Sequence, residues 1–428
     1  MFISRDLLTD IRQWLDREKI LILKGSRQVG KTTLLKFLEQ ELKEEHPTLF
    51  FSADLEIGNP LFKEPKLFIK LLESHMVSGK RLYVFLDEFQ YLEKPGLFVK
   101  VVFDSLKEQI QLIISGSSSL EISRSKEFLT GRKIEFRLMP FSFKEYARIS
   151  SNIKNIGVND YLHLEAYEEI RDFYLINRDN LISAVIDYLN WGGYPEPCFE
   201  SGEKKSIILR EIISTYLQKD IAGFLNVSKL DAYNNLLRLM ASQIGNLVNK
   251  NEISKTLGLN METVNKYLNI LEGTYVFFLL SPYFTNLRKE ISKMQKVYIS
   301  DPGLRRVILN STLHHTPDSF QGSEIENFIY IHAAALRNID AINYYRTISK
   351  AEIDFILHCR GTMIPLEVKY KKGEQRIPLE IKNFSERYPE VVNKRLIITR
   401  DYLHREGNHY FIPYLVFPFM EFLDSTNT

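Results

Sequence analysis

Gly25-Ser26-Arg27-Gln28-Val29-Gly30-Lys31-Thr32 fits the pattern G-x-x-x-x-G-K-[ST] with nothing missing. The apolar run Leu21-Ile22-Leu23 leads into it, and a helix-patterned run over residues 33–42 leads out of it. Glycines in such a loop let the backbone curl until its N–H groups and the N-terminus of the next helix face phosphate oxygens. Lys31 then reaches the β- and γ-phosphates and Thr32 can ligate Mg2+, while Ser26, Arg27, Gln28, Val29 and Thr33 complete the cradle for ATP. A plain glycine-containing turn is the alternative, and the flanking strand and helix weigh against it.

Working outward, the run Leu82-Tyr83-Val84-Phe85-Leu86 ends in Asp87-Glu88. An acid at the end of a buried strand beside a phosphate loop can hold Mg2+ through its water shell, which is the role expected of Asp87. Glu88 then orients and polarises the attacking water, so hydrolysis is expected as well as binding. Residues 49–51 and 112–114 are further short apolar runs with helical stretches between them, as a parallel sheet covered on both faces requires. The last of these runs enters Ser115-Gly116-Ser117-Ser118-Ser119, where Ser115 and Ser117 are candidates for sensing the γ-phosphate and a simple Ser/Gly turn is the alternative.

At 428 residues the chain is expected to hold two to four domains. With 44% apolar and 26% charged residues it can bury real cores. No run approaches the roughly 18 apolar residues of a membrane span, and the first 15 residues lack a signal-peptide pattern, so the expected location is cytoplasmic, away from membranes. Cys198 and Cys359 stand too far apart in sequence for metal-ligand spacing and read as structural thiols. A net charge of +2 means that any affinity for nucleic acid must come from local clustering.

Residues 20–140 resemble the AAA+ superfamily, on the phosphate loop, Leu86-Asp87-Glu88-Phe89-Gln90, Ser115 to Ser119, and Gly131-Arg132-Lys133 before Pro140-Phe141-Ser142-Phe143-Lys144-Glu145-Tyr146. More narrowly, the chain resembles a large prokaryotic group in which such an ATPase is fused to a C-terminal domain of unknown function. The resemblance implies that Arg132 is a candidate finger reaching a neighbouring subunit's nucleotide, hence a homo-oligomer; an exposed surface arginine is the alternative. It also implies that Trp191-Gly192-Gly193-Tyr194-Pro195 begins a helical lid, with Pro195 near the adenine.

Residues 251–257 and 261–271 read as two helices around the turn Gly258-Leu259-Asn260, the outline of a helix-turn-helix. Its outer face would carry Thr263, Asn265, Lys266 and Asn269. The strand-like residues 275–280 and the basic Arg288, Lys289, Lys293 and Lys296 would supply a wing. Between residues 226 and 300 nine Lys+Arg face five Asp+Glu, a surplus suited to DNA phosphates. Winged helices also dock proteins, so a protein partner is the competing expectation.

Strand-like alternation near residues 353–357 and 363–368 brings Asp354 toward Glu367 and Lys369, the last two on one strand face. Asp354 and Glu367 could hold Mg2+ and Lys369 could help activate water. This pattern resembles the PD-(D/E)xK nuclease superfamily, which implies a further metal-site glutamate at Glu326. A salt-bridged sheet face is the alternative.

The resulting fold expectation is a multidomain α/β chain: an AAA+-like core with a P-loop on a parallel sheet (1–145), a helical lid (146–225), a winged helix-turn-helix (226–300) and a restriction-endonuclease-like domain (301–428). The functional expectation is a Mg2+-dependent ATPase that binds and acts on DNA, with a possible nuclease site. The competing expectation is an ATP-switched protein-docking module whose nuclease-like part is an inert scaffold.

Overall fold

The apolar runs become a five-stranded parallel sheet in the computed structural model, which describes residues 3–116, 129–149, 161–224, 229–284, 293–311, 318–336, 338–347 and 349–422, and positions 153, 157 and 316. The strands are β1 (Ile20–Lys24), β2 (Thr48–Ser52), β3 (Leu82–Asp87), β4 (Ile110–Gly116) and β5 (Lys133–Arg137), in the order β2-β3-β4-β1-β5. All residues of β1, β3 and β4 are buried, as inner strands covered on both faces must be. The helices Lys31–Leu42, Pro65–Ser74 and Pro95–Leu106 alternate with the strands. Phe68, Leu72, Phe98, Val99, Val102 and Phe103 pack with Ile22, Val84, Leu86 and Leu112 into one apolar core.

Strand order is what matters for function. β4 lies between the strand that enters the phosphate loop and the strand that ends at Asp87. The C-terminal ends of β1, β4 and β3 therefore stand side by side, where open α/β sheets bind their ligands.

The chain divides into two compact units. The first holds this sheet and consists of Met1–Pro140, Thr215–Asn226 and Asn269–Val276; the second consists of Phe141–Ser214, Val227–Leu268 and Phe277–Thr428. The second unit contains the helices Phe143–Ile149, Tyr167–Trp191 and Pro195–Cys198. Its aromatic core sets the Phe143 ring 5.6 Å from both Tyr188 and Phe328 and 5.9 Å from Phe419. Short strands β6 (Leu162–His163) and, near the C-terminus, Met420–Glu421 pair in parallel. Among the described residues no helix is long and apolar enough to cross a membrane.

The helix–turn–helix outline is present as Lys250–Leu257 and Met261–Gly273, preceded by Leu230–Ser242. Asn249 caps the first helix by accepting the N–H groups of Asn251 and Glu252, and Gly258 ends it in the left-handed conformation. The turn is tied by Ser254 Oγ donating to the Leu259 carbonyl at 2.6 Å and by Thr263 N–H donating to Asn260 Oδ1 at 2.7 Å. Strands β7 (Phe277–Leu280) and β8 (Lys296–Ile299) follow as an antiparallel pair, with Leu247 bridging to Lys296.

The C-terminal sheet comprises β9 (Ala341–Arg346), β10 (Glu352–Cys359), β11 (Thr362–Lys369), β12 (Arg395–Thr399), β13 (His404–Glu406) and β14 (His409–Pro413). The order is β13-β14-β12-β11-β10-β9, parallel at β11–β12 and β12–β14 and antiparallel elsewhere. Regular alternation over 353–357 does not hold, because a bulge shifts the β9 register between Ile353 and Ile356. Ile353 and Ile356 thus share one core with Ile381 and Phe384, although strict period two would put them on opposite faces.

A clasp closes the turn after the long helix Tyr167–Trp191. Gly192 has φ +78°, and a Cβ on it would run into the Asp301 carboxylate; a Cβ on Gly193 would strike the Phe141 carbonyl. Gly193 N–H donates to Asp301 Oδ2 at 2.7 Å, Leu304 N–H to Asp301 Oδ1 at 2.9 Å, and Phe141 N–H to the Gly193 carbonyl at 2.7 Å. Asp301 also caps the helix Pro302–Ile308, which packs on Tyr167–Trp191 and on Leu230–Ser242. Burial pushes the Asp301 carboxyl up to about 6, even with N–H donors from Gly193, Leu304, Gly303 and Tyr194.

Candidate nucleotide site and C-terminal carboxylate cluster

The phosphate loop runs from β1 into the helix Lys31–Leu42, with Gln28 and Gly30 at positive φ. Gly25 tolerates no side chain, since a Cβ there would collide with the Leu138 carbonyl oxygen. Arg5 pins the loop from behind by donating to the Val29 carbonyl at 3.0 Å and the Met139 carbonyl at 2.6 Å. Lys31 is buried, and its Nζ donates to the Gly25 and Ser26 carbonyls at 3.1 and 2.9 Å. The ammonium thus lies within the curl of the loop.

Asp87 meets this loop at the end of β3. Thr32 Oγ1 donates to Asp87 Oδ2 at 2.5 Å, and Ser115 Oγ, from the end of β4, donates to Asp87 Oδ1. Ser115 Oγ in turn accepts the Glu88 N–H at 3.3 Å. Glu88 sits in the left-handed region at φ +50°, with Gln90 Nε2 donating to its Oε2. Both partners of Asp87 are neutral hydroxyls, and no ammonium or guanidinium holds its oxygens in these contacts. This donor set fits Mg2+, because a carboxylate and a threonine hydroxyl already converge and hydroxyl donors can turn aside.

Of the other residues expected at this site, Ser117 falls outside the described residues, and Ser115 emerges as a residue that positions Asp87 and Glu88. Arg132 follows Gly131 on the approach to β5, and its Nε and Nη2 donate to the Asp104 carboxylate at 2.7 and 3.1 Å. That bond raises the Arg132 pKa and holds the guanidinium against its own chain. Pro195 opens the short helix Pro195–Cys198 in the second unit. Both cysteines are free thiols; Cys359 Sγ donates to the Phe422 carbonyl at 3.2 Å and Cys198 Sγ to the Gly192 carbonyl at 3.8 Å.

The helix-turn-helix face carries Thr263 and Asn265 half-buried and Lys266 and Asn269 exposed, and Lys250 Nζ donates to Asn265 Oδ1 at 2.9 Å. Arg288 and Lys289 fall outside the described residues. Lys293 is exposed. Lys296 corrects the expectation of a basic wing: its side chain is only 3% exposed and turns inward from β8 onto carboxylates.

There the structure brings together Asp354, Glu367 and Lys369 as expected, and adds Lys296. Lys296 Nζ lies 2.6 Å from Glu352 Oε1, 3.0 Å from Glu326 Oε1 and 3.6 Å from Asp354 Oδ1. Tyr298 Oη also donates to Glu326 Oε1, at 2.6 Å. The second oxygen of Asp354 accepts the Val368 N–H at 2.9 Å. Glu367 accepts Lys369 Nζ on one oxygen at 2.6 Å and the Asp354 N–H on the other at 3.2 Å. Every oxygen of Asp354 and Glu367 therefore has a partner inside the chain. Among the described residues no group of three or more His, Cys, Asp or Glu side chains is arranged to hold a metal ion. This geometry does not fit a divalent ion between Glu326, Asp354 and Glu367.

The electrostatics agree. Burial opposes the charged ammonium, yet Glu326, Asp354 and Glu352 raise the Lys296 pKa above that of an ordinary lysine. Burial and the Asp354 charge push both Glu326 and Glu367 up to about 7, and burial raises Asp354 as well.

Lys296 carried a signal in the sequence, a lone charge opening the apolar strand Val297-Tyr298-Ile299. Its acidic partners lie 30 to 58 residues further on, beyond the reach of local patterns. Asn327 had no signal: its side-chain amide accepts the Ile299 N–H at 2.8 Å and donates to the Ile299 carbonyl at 3.1 Å, extending β8 as another strand would.

Comparison with known proteins divides the chain in three. Residues 17–147 match a family model described as an AAA domain, residues 182–314 a domain of unknown function (DUF8612), and residues 321–417 another domain of unknown function (DUF4143). The chain is 25% identical over 384 residues to an uncharacterized protein of Haemophilus influenzae, covering 87% of this chain and 88% of that one. It is 23% identical over 412 residues to an uncharacterized protein of Methanocaldococcus jannaschii, covering 93% and 84%. Among solved structures, the AMPPCP-bound DnaA of Aquifex aeolicus is similar at 16% identity with a TM-score of 0.29, covering 64% of this chain and 89% of that one. A likeness at that level carries no functional argument. The N-terminal region is an AAA-like P-loop domain built on a five-stranded parallel sheet.

Proposed function

We propose that the protein is a Mg2+-dependent ATPase whose helix-turn-helix segment engages DNA and whose C-terminal sheet serves as a scaffold. The observation that carries the ATPase reading is the convergence of three adjacent strand ends: Lys31 and Thr32 after β1, Ser115 on β4, and Asp87 with Glu88 after β3. The N–H groups of residues 25–33 and the Lys31 ammonium bind the phosphates. Thr32 and Asp87 hold Mg2+, which when bound supplies charge that offsets the negative phosphate oxygens. Glu88 orients a water molecule and takes its proton as the water oxygen bonds to the γ-phosphorus and the bond to the β-phosphate oxygen breaks, leaving ADP and phosphate. Ser115 fixes where Asp87 and Glu88 point.

The DNA reading rests on the capped two-helix unit and its outward Lys255, Lys266 and Asn269. Withdrawal of Lys296 from the wing weakens the basic surplus and favours a protein-docking role as the second reading. Arg132 as a finger, and a homo-oligomer built through it, belong to the ATPase reading as a further proposal.

Two measurements test this reading. ATP turnover by the wild type should be lost in Lys31→Ala and Glu88→Gln; turnover retained in both would reject the site. Fluorescence anisotropy with labelled duplex DNA should report binding that weakens steeply as salt rises, and absence of binding at low salt would leave protein docking as the role of the helix pair.

A further inference from the structure

We infer that Lys296 is the built-in cation of the C-terminal carboxylate cluster, and that this cluster is a metal-free joint between β8 and the C-terminal sheet, not a metal centre for phosphodiester cleavage. The inference stands apart from the ATPase reading, since it concerns only the second unit.

The first argument is position. The lysine ammonium lies among oxygens of three carboxylates drawn from two elements: Glu326 on the helix Gly322–Ala333, and Glu352 and Asp354 on β10. A divalent ion bridging Glu326 and Asp354 would need oxygens at roughly 2.0–2.6 Å, in the space where the ammonium now stands. Two cations there would repel each other, and the side chain is too deeply buried to swing into solvent.

The second argument is charge. Four carboxyl groups, Glu326, Glu352, Asp354 and Glu367, meet the fixed cations Lys296, Lys369 and Arg346, the last lying 3.2 Å from Glu352. The set is within one negative charge of balance.

The third argument is what the cluster joins. β8 presents Lys296 to Glu326, Glu352 and Asp354, Tyr298 to Glu326, and the Ile299 backbone to Asn327. The Tyr298 ring also stacks on Tyr330 with centroids 4.3 Å apart. The ion cluster is one part of a continuous seam. It fixes the strand pair that follows the helix-turn-helix onto the helix and sheet that carry the nuclease-like residues.

The test compares full-length wild type with Asp354→Asn and Lys296→Met, all free of nucleotide. Mn2+ binding is counted by electron paramagnetic resonance and thermal unfolding is followed with and without Mn2+. Wild type and Asp354→Asn should bind the same number of Mn2+ ions, and Mn2+ should shift their Tm equally. Lys296→Met should unfold at a lower Tm, and the deficit should widen as pH rises and the unneutralised carboxylates must ionise. Loss of one Mn2+ equivalent in Asp354→Asn would overturn the inference, as would a Lys296→Met protein with the wild-type Tm at every pH. If Lys296→Met does not fold, the count in wild type against Asp354→Asn still decides the matter.

Discussion

The two units each place an acid at or near a strand end beside a lysine, and the two arrangements differ in where the lysine points. At the phosphate loop, Lys31 donates to backbone carbonyls, which leaves Asp87 to the hydroxyls of Thr32 and Ser115. In the C-terminal cluster, Lys296 and Lys369 donate to the acids themselves. Hydroxyls can rotate to make way for a metal ion, whereas a buried ammonium already fills its place. The chemistry of an acid–lysine pair is thus decided by the lysine's partner, which short sequence motifs do not record.

The largest effect that could break this comparison is catalytic. Glu88→Gln should lower steady-state ATP turnover by roughly 10²-fold or more, with ATP still bound in an equilibrium assay. A substitution at Asp354, by contrast, should leave turnover at the wild-type rate. Next is the contrast between the lysines: Lys296→Met strips the cation from buried acids and should cost about 3–5 kcal/mol in urea unfolding, while Lys31→Met removes bonds to the Gly25 and Ser26 carbonyls and should cost far less. Similar losses in both would erase the distinction.

Ser115→Ala sharpens the first half. Losing the hydroxyl that binds Asp87 and Glu88 N–H should reduce kcat about tenfold with KM little changed, and Ser115→Thr should restore most of it. The smallest effect is on pH dependence. Glu326 and Glu367, raised from 4.5 to about 7, bind protons more tightly folded than unfolded. Their stabilisation is fully present below about 4.5 and is lost as pH rises through 7. His332 has the opposite sign: burial lowers it from 6.5 to about 4, so its contribution is present above 6.5 and lost as pH falls through 4. Thermal unfolding should therefore show Tm declining as pH rises through about 7, with Asp301, raised to about 6, adding to the fall at its lower end. A Glu326→Gln/Glu367→Gln double variant should flatten that decline.

Legibility followed the range of the interaction. The phosphate loop, its strand and its helix are contiguous, and 25–32 reads as a unit because its geometry needs Gly25, Lys31 and Thr32 at fixed spacing. Asp87 was legible because a buried strand ending in acids is itself a local pattern. The helix pair around Gly258 was legible for the same reason, through two helix-patterned runs with a glycine in the turn between them. The strands carrying Asp354 and Glu367 were legible as alternation, but the bulge at 353–356 was not, since it depends on the register with β9. Ser115 could be placed beside the acid but not given its bond. The inward turn of Lys296 depends on Glu326, Glu352 and Asp354 arriving from elements formed later in the chain, so a lysine that locally resembles a DNA contact becomes a core residue.

The Gly192–Gly193 turn and Asp301 bear on how this protein can vary over evolutionary time. Gly192 leaves no room for a methyl group beside the Asp301 carboxylate, and Gly193 none beside the Phe141 carbonyl. The Asp301 carboxylate in turn needs the N–H groups on both sides of the clasp. Neither partner can change first without cost. A recombination junction falling between residues 193 and 301 would have to join a pair of glycines to an acid that still match each other. The stretch matched as one family, residues 182–314, contains Gly192, Gly193 and Asp301.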